Sequence, residues 1–271
     1  MNTQDFEDII YEKEENGICT LTLNRPERKN SLTPLTFLEI ETVLEDMESD
    51  KKSRVLIITG CKEANAFSSG GSFVSFASVP QEIRNKIDPA DMAQKRLVLK
   101  FWDFSKPVIT AINGLAVGAG ITMPLVASDL IYMAEDAWIG YYFVKRAIVP
   151  EFASNFILPF YIGFQKAKEI IYFGDKISAT EAESLGLINK ILPPDELLSY
   201  TRDQALRLIP PKGPSLSIKL MKKTMHDHFR DILARTLDLE NEAIGKAART
   251  RDFRESAMAL KAKRDPKFKG R

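Results

Sequence analysis

Apolar and polar positions recur with two different periods along the chain, and these periods predict its secondary structure. The segment IIYEKEENGICTLTL has Asn16-Gly17 between two strand-like runs, and this dipeptide is typical of a tight hairpin turn. Between residues 37 and 47, four apolar residues then recur at helical spacing. Thr33 is a good N-cap and Pro34 a good first helical residue, so we predict that a helix begins there.

Three continuous apolar runs of strand length follow: RVLIITG, PVITAING and DLIYMAE. Such runs are typical of buried parallel strands, and helical patterns lie between them. Strand, helix and strand in repetition indicate crossover units and a mostly parallel sheet. After about Leu192 the strand signals stop and four amphipathic helical patterns follow. We therefore predict an α/β core over residues 1–192 and a helical region over residues 193–271.

Composition narrows the class of protein. The 271 residues contain 38 Lys and Arg against 37 Asp and Glu, so the net charge of +1 argues against binding of nucleic acid through phosphate neutralisation. The two cysteines form no disulfide framework or metal-binding spacing, which fits a reducing compartment. We find no signal peptide and no apolar run long enough to span a membrane. These features predict a soluble cytoplasmic protein without a membrane partner.

Several kinds of site are excluded, and two glycine-rich turns remain. His226 and His228 are the only histidines and lie on a late helical pattern, which argues against a Ser-His-Asp hydrolase and a zinc site. AFSSGGSF and INGLAVGAGITM each follow a predicted strand, and the second runs into a helix with free backbone N–H groups. Two N–H groups that converge on one oxygen would form an oxyanion hole. Glycine content alone is equally typical of ordinary tight turns.

Five motifs in order make the chain resemble the crotonase superfamily, which contains the enoyl-CoA hydratases and isomerases. They are NRPERKNSLT, AFSSGG, ITAINGLAVGAG, SDLIYMAEDAWIG and GDKISATEAESLGLINKIL, and the resemblance extends from about Ile9 to Phe268. It implies a crotonase (ClpP-like) α/β spiral of ββα units with a C-terminal helical trimerisation region. It also implies a homotrimer or a dimer of trimers. The implied substrate is an acyl-CoA thioester, and no separate cofactor is expected because CoA is part of that substrate.

The resemblance also assigns roles to individual residues. The backbone N–H groups of Gly71 and Ala119 would form the oxyanion hole. The aromatic side chains in and after the WIG motif would line the acyl pocket, although core packing is an equally good reading of them. The implied CoA-binding residues are Arg28, Lys29, Ala66, Ser68, Lys263 and Phe268, and the implied acyl-pocket residues are Trp138, Tyr141, Tyr142 and Phe143.

The sequence departs from the two-glutamate hydratases of this superfamily. Their acids correspond to Thr122 and Phe143 here, so neither position carries a carboxylate. Glu151 lies where related isomerases place a single acid, in an apolar segment that would raise its pKa. From spacing alone, Glu151 is equally suited to cap a helix that begins near Ala153.

We therefore predict a Δ3,Δ2-enoyl-CoA isomerase in which Glu151 is the single acid and base, because moving one proton requires only one such group. Two alternatives stay open. One is a hydratase or hydrolase that acts on a cyclic or branched enoyl-CoA. The other is a relative without catalytic activity that binds CoA esters or RNA.

Overall fold

The computed structural model describes residues 3–72 and 79–271, and within them ten strands and eleven α-helices. The strands are β1 (Ile9–Lys13), β2 (Ile18–Leu23), β3 (Val55–Gly60), β4 (Ala66–Ser68), β5 (Val108–Ile112), β6 (Leu115–Val117), β7 (Leu130–Ala134), β8 (Trp138–Gly140), β9 (Lys176–Ser178) and β10 (Lys190–Leu192). The helices are α1 (Pro34–Ser49), α2 (Gln81–Arg84), α3 (Lys95–Asp103), α4 (Ala119–Ala127), α5 (Ser154–Ile162), α6 (Phe164–Phe173), α7 (Ala179–Ser184), α8 (Leu197–Leu208), α9 (Ser215–Asp227), α10 (Arg230–Ala247) and α11 (Arg251–Lys261).

The described strands form two sheets. The larger has the order β1-β2-β3-β5-β7-β10 and is parallel except between β1 and β2. The smaller has the order β4-β6-β8-β9 and is parallel except between β8 and β9. The three predicted strands occur as β3, β5 and β7, side by side in the larger sheet. The mostly parallel α/β architecture predicted from the sequence is confirmed.

Local sequence signals position the first hairpin and the first long helix. Gly17 adopts a φ of 94° between β1 and β2, a conformation that favours glycine over any residue with a side chain. At the start of α1, the Thr33 hydroxyl accepts hydrogen bonds from the backbone N–H groups of Leu35 and Thr36, both at 3.1 Å. Thr36 in turn accepts a hydrogen bond from the Thr33 N–H, which completes a capping box. The predicted hairpin and the predicted helix start are both confirmed.

The C-terminal helices are not fully separate from the sheet. No described strand follows Leu192, as the sequence predicts, but α8 packs against β3, β5 and β7. The first helix beyond residue 192 therefore belongs to the hydrophobic core, to which it contributes Leu197 and Ala205. None of the helices in the described ranges is long and apolar enough to cross a membrane.

The strands of the smaller sheet position the candidate site, although no periodic pattern in the sequence predicts them. Each contains only three residues. β4 leads into the first glycine-rich turn, and β6 leads through Gly118 into α4. Because β4 and β6 are neighbours in the sheet, both turns emerge at the same edge.

Candidate active site

The two glycine-rich turns and the segment around Glu151 line one cavity of about 480 Å³. This volume is in the range typical of small-molecule sites. Its walls come from segments that are far apart in the chain. They are residues 32–37, 69–72, 92–94, 117–119, 142–151 and 244–253. Most of the lining is apolar, and the charged side chains among the described lining residues are Arg146 and Glu151.

An isolated parallel β-bridge between Leu32 and Gly71 orients the backbone N–H of Gly71 toward the cavity. Leu32 donates its N–H to the Gly70 carbonyl at 2.9 Å and accepts from the Ser72 N–H at 2.7 Å. Because successive N–H groups of an extended chain point to opposite sides, the Gly71 N–H faces away from Leu32. Within the described part of the chain, it has no hydrogen-bond acceptor.

The second donor is the N–H of Ala119, the first residue of α4, which likewise has no acceptor among the described residues. The first N–H groups of a helix have no acceptor within the helix, and the helix dipole adds partial positive charge there. Gly118 precedes it with φ 54° and ψ −124°, a backbone conformation that L-residues with a side chain rarely adopt. The sequence of this turn therefore sets the direction in which the Ala119 N–H points.

The two donor turns are in close contact. Gly70 has a φ of 92°, and a Cβ atom built on it would lie 2.4 Å from the Val117 carbonyl oxygen and 3.5 Å from the Ala119 nitrogen. Glycine is thus required at residue 70 for the turns to approach each other. Two N–H groups on contacting turns, each with no described acceptor, are suited to bind one oxygen that carries negative charge.

The carboxyl group of Glu151 lies beside the first donor. A Cβ atom built on Gly71 would be 3.9 Å from Glu151 Oε1. The carboxylate makes no hydrogen bond or ion pair with any residue that the structure describes. Burial, and to a smaller extent the negative charge of Glu240, together raise the pKa of Glu151 to about 8. The cavity therefore combines two N–H donors that have no described acceptor with a carboxyl group whose pKa lies near neutrality.

Glu240 on α10, rather than Glu151, caps the helix that follows. Its carboxylate accepts hydrogen bonds from the N–H of Ala153 at 2.8 Å and of Asn155 at 3.0 Å, and from the Asn155 side chain at 2.8 Å. The alternative reading of Glu151 as a cap of α5 is therefore wrong. Sequence reasoning missed Glu240, and its only signal was a glutamate on the apolar side of a helical pattern.

The turn between Glu151 and α5 is strained. Phe152 and Ala153 both have positive φ values, 59° and 55°, although neither is a glycine. Such residues cost roughly 1–3 kcal/mol each and persist only where their surroundings hold them. Two hydrogen bonds stabilise this conformation. The Ala153 N–H donates to the Glu240 carboxylate, and the Phe152 N–H donates to the Ala93 carbonyl at 3.3 Å.

Comparison with known proteins decides the family. The enoyl-CoA hydratase/isomerase family matches residues 13–271. The chain belongs to the enoyl-CoA hydratase/isomerase family. The crotonase resemblance read from the five motifs is thereby confirmed.

Relatives within the enoyl-CoA hydratase/isomerase family carry the names of different reactions. The 1,2-epoxyphenylacetyl-CoA isomerase of Escherichia coli K12 is 31% identical over 97% of this chain and 99% of its own. The crotonyl-CoA hydratase of Syntrophomonas wolfei is also 31% identical, over 97% of this chain and 98% of its own. A crystal structure of an enoyl-CoA hydratase/isomerase from Pseudoalteromonas atlantica T6c superposes with a TM-score of 0.84 at 25% identity. The superposition covers 97% of this chain and all of that one.

The two positions that correspond to the acids of the family's hydratases, Thr122 and Phe143, carry no carboxylate here. Thr122 is buried, and its hydroxyl has no hydrogen-bond partner among the described residues. Phe143 lines the cavity with its ring. Glu151 is the only carboxylate among the described lining residues.

The aromatic residues predicted for the acyl pocket divide into two pairs. Tyr142 and Phe143 line the cavity. Tyr141 is fully buried in the core, and Trp138 packs against Tyr142 with Lys176 over its ring, so neither lines the cavity. The prediction that Trp138 and Tyr141 line the cavity is wrong, because core packing encloses the Tyr141 ring while Tyr142 and Lys176 occupy the Trp138 ring.

The predicted CoA-binding residues lie outside the described lining. Arg28 and Lys29 are exposed, and the Lys29 carbonyl accepts a hydrogen bond of 2.9 Å from the Ser69 N–H beside the first donor turn. Ala66 and Ser68 are fully buried, and the Ser68 hydroxyl donates to the Asn30 carbonyl at 2.7 Å. Contact between CoA and these four residues stays a prediction.

The C-terminal segment folds back along α11. Asp252 accepts hydrogen bonds from the backbone N–H groups of Lys269 and Gly270 at 2.7 and 2.6 Å. Lys263 is exposed and Phe268 is 44% exposed, and neither lines the cavity of this chain. Their role in covering CoA stays a prediction. Among the described residues, no group of three His, Cys, Asp or Glu side chains could hold a metal ion.

Proposed function

We propose that this protein isomerises 3-enoyl-CoA thioesters to 2-enoyl-CoA thioesters, with Glu151 as the single acid and base. The observation that carries the proposal is that one carboxyl group of raised pKa shares a cavity with two N–H donors that have no described acceptor. Membership of the enoyl-CoA hydratase/isomerase family supports an acyl-CoA thioester as the substrate.

In the proposed reaction, the thioester carbonyl oxygen accepts hydrogen bonds from the N–H groups of Gly71 and Ala119. The Glu151 carboxylate removes a proton from C2, and the electron pair of the C2–H bond moves toward the carbonyl to give a dienolate. The two donors stabilise the negative oxygen of this dienolate. The protonated Glu151 then gives the proton to C4, so that the double bond moves from C3–C4 to C2–C3.

The single carboxylate favours isomerisation over the usual hydration. Hydration in this family requires two acids that position and activate water, and the corresponding positions are Thr122 and Phe143. Isomerisation adds and removes no atoms of water, so one proton-carrying group is sufficient. The largely apolar lining of the cavity also disfavours an ordered water beside C3.

Replacement of Glu151 tests the proposal. We expect Glu151→Gln to lower kcat for 3-hexenoyl-CoA by about 10²–10⁴-fold, because the amide cannot exchange the proton. Glu135→Gln, which removes an exposed carboxylate outside the cavity, is the matched control and should leave kcat unchanged. Turnover of 3-hexenoyl-CoA that is the same in Glu151→Gln as in the wild type would contradict the assignment.

Mass spectrometry of the products separates isomerisation from the alternatives. Isomerisation leaves the mass of the thioester unchanged, hydration adds one water, and hydrolysis releases free CoA. A panel of linear, branched and cyclic enoyl-CoA substrates should give a product of unchanged mass from 3-enoyl substrates. A product with one added water as the main outcome would instead assign a hydratase.

A further inference from the structure

A second charged side chain, that of Arg146, lines the cavity with Glu151. Arg146 ends a short 3-10 helix, Val144–Arg146, and is followed by Ala147 in the left-handed conformation. Its carbonyl accepts a hydrogen bond of 3.0 Å from the Ser256 hydroxyl on α11. The backbone that carries this guanidinium is therefore anchored to α11, which contributes Phe253 to the cavity lining.

The Arg146 guanidinium has no partner within residues 3–72 and 79–271. Arg25, which is also half-buried, forms an ion pair with Asp8 at 3.0 Å. Arg146 is half-buried, and burial lowers its pKa. Partial loss of hydration without a counter-ion is unfavourable for a cation. An anionic ligand bound to the guanidinium would offset this cost.

The position of Arg146 indicates which part of a thioester it would meet. Phe143, Ile148 and Phe253 line the cavity together with Arg146, so Arg146 lies on a largely apolar part of its wall. The exposed cations predicted to meet the CoA phosphates, Arg28 and Lys29, lie outside this lining. Arg146 is thus separate from them and shares its cavity with the group that would act on the acyl chain.

We propose that Arg146 binds a carboxylate at the far end of the acyl group, so that the preferred substrate is the CoA thioester of a dicarboxylic acid. This inference rests on the proposed function, because it assumes that the acyl group occupies the cavity. A guanidinium binds a carboxylate through two parallel N–H···O bonds, which fixes both distance and orientation. Such a contact would place the far end of a short chain while Gly71 and Ala119 hold its thioester end.

Binding of two unreactive thioesters tests the inference without requiring catalysis. Hexanoyl-CoA and adipoyl-CoA differ only in the terminal carboxylate, and calorimetry gives the Kd of each. We expect the wild type to bind adipoyl-CoA about 10- to 100-fold more tightly, as for hydrogen bonds between charged groups. Arg146→Gln should abolish this preference, and Arg146→Lys should retain part of it, because lysine keeps the charge without the planar pair of donors.

Arg254→Gln is the matched control, because Arg254 is an exposed arginine on α11 outside the cavity lining, and its loss should leave the preference unchanged. Thermal unfolding of Arg146→Gln checks that the variant is folded. An equal loss of affinity for both thioesters in Arg146→Gln would overturn the proposal, because Arg146 would then contact the CoA portion that both share. Equal affinities in the wild type would overturn it as well.

The two proposals fail in different ways. Glu151→Gln should lose turnover of 3-hexenoyl-CoA and of 3-hexenedioyl-CoA while it keeps the preference for adipoyl-CoA over hexanoyl-CoA. If the wild type isomerises neither substrate but prefers adipoyl-CoA, the proposed function fails and the carboxylate site stands. If it isomerises both with the same kcat/KM and shows no preference in binding, the carboxylate site fails alone.

Discussion

Glu151 and Glu240 place two carboxyl groups in one buried region, and neither forms an ion pair with any described residue. Burial raises the pKa of Glu240 to about 7, although hydrogen bonds from Asn155 and Ala153 act in the opposite direction. Above that pH, the negative charge of Glu240 opposes ionisation of Glu151. Glu240 therefore affects Glu151 in two ways, through its charge and through the backbone that it holds.

We expect Glu240→Gln to move the acidic limb of the kcat/KM profile to lower pH. In the wild type, kcat/KM should rise with pH through about 8, because Glu151 must lose its proton to act as a base. Removal of the Glu240 charge lowers the pKa of Glu151, so ionisation and activity begin at lower pH. The measurement is kcat/KM for 3-hexenoyl-CoA between pH 5 and 10.

A double variant separates the charge of Glu240 from its hold on the backbone. Glutamine can accept at only one of its two terminal atoms, so Glu240→Gln also loosens the turn and should lower kcat. Adding Ala153→Gly relieves the left-handed conformation and should recover kcat without restoring the position of the acidic limb. An acidic limb that stays at the wild-type pH in Glu240→Gln would show that its charge does not reach Glu151.

Of these residues, the sequence could identify Glu151 and not Glu240. Glu151 follows a proline in an apolar segment, so its neighbours in the chain already predict a raised pKa. Glu240 is 87 residues from Ala153 and accepts its hydrogen bonds largely from backbone groups, which leave no trace in the identity of a side chain. Its role becomes visible only when α10 is packed against α5.

At the scale of elements, the donor role of α4 depends on one backbone N–H at its first residue. Proline is tolerated at that position, because the N–H has no acceptor within the helix and the proline φ suits a helix. We expect Ala119→Pro to keep the fold and to lower kcat by about 10²–10³-fold, the usual cost of losing one oxyanion donor. Steady-state kinetics with 3-hexenoyl-CoA and thermal unfolding measure the two effects.

Ala119→Gly is the control for this substitution, since it keeps the N–H and adds no atoms to the cavity. Its kcat should stay within a few-fold of the wild type. If Ala119→Pro and Ala119→Gly have the same kcat and both are folded, the Ala119 N–H takes no part in the reaction.

The elements that the sequence predicted are those specified by adjacent residues. The hairpin at Asn16-Gly17, the cap at Thr33 and the buried strand β3 each have a signal within a few residues. The strands β4, β6, β8 and β9 contain three residues each, too few for a period to be recognised. These segments become strands because they pair with neighbouring strands of the sheet, so their formation depends on tertiary structure.

At the scale of the whole molecule, the helices after β10 leave apolar side chains uncovered. On α9, Leu216, Leu220, Met221 and Met225 are each more than half exposed. Exposed apolar groups that cluster on one helix are typical of surfaces that associate. The homotrimer or dimer of trimers expected from the family would bury such surfaces, and that assembly stays a prediction.

We expect negative charge on the exposed apolar residues of α9 to dissociate the trimer or hexamer into monomers. Leu220→Glu combined with Met225→Glu places two carboxylates on the apolar side of the helix, where burial between copies would be strongly unfavourable. Light scattering after size-exclusion chromatography should give the mass of a trimer or hexamer for the wild type and 30.6 kDa for the double variant. Lys223→Glu, on the same helix, is the control and should keep the wild-type mass; a monomeric wild type would contradict the prediction.

During synthesis of the protein, the turn at Glu151 is made before Glu240, the residue that stabilises it. Glu240 follows Ala153 by 87 residues, which takes a ribosome on the order of 10 seconds at roughly 5–20 residues per second. Until then, the strained residues Phe152 and Ala153 lack the carboxylate that holds them. The nascent chain can thus pair most strands of its larger sheet before the proposed base is fixed in place, and it becomes competent for catalysis only once α10 has docked.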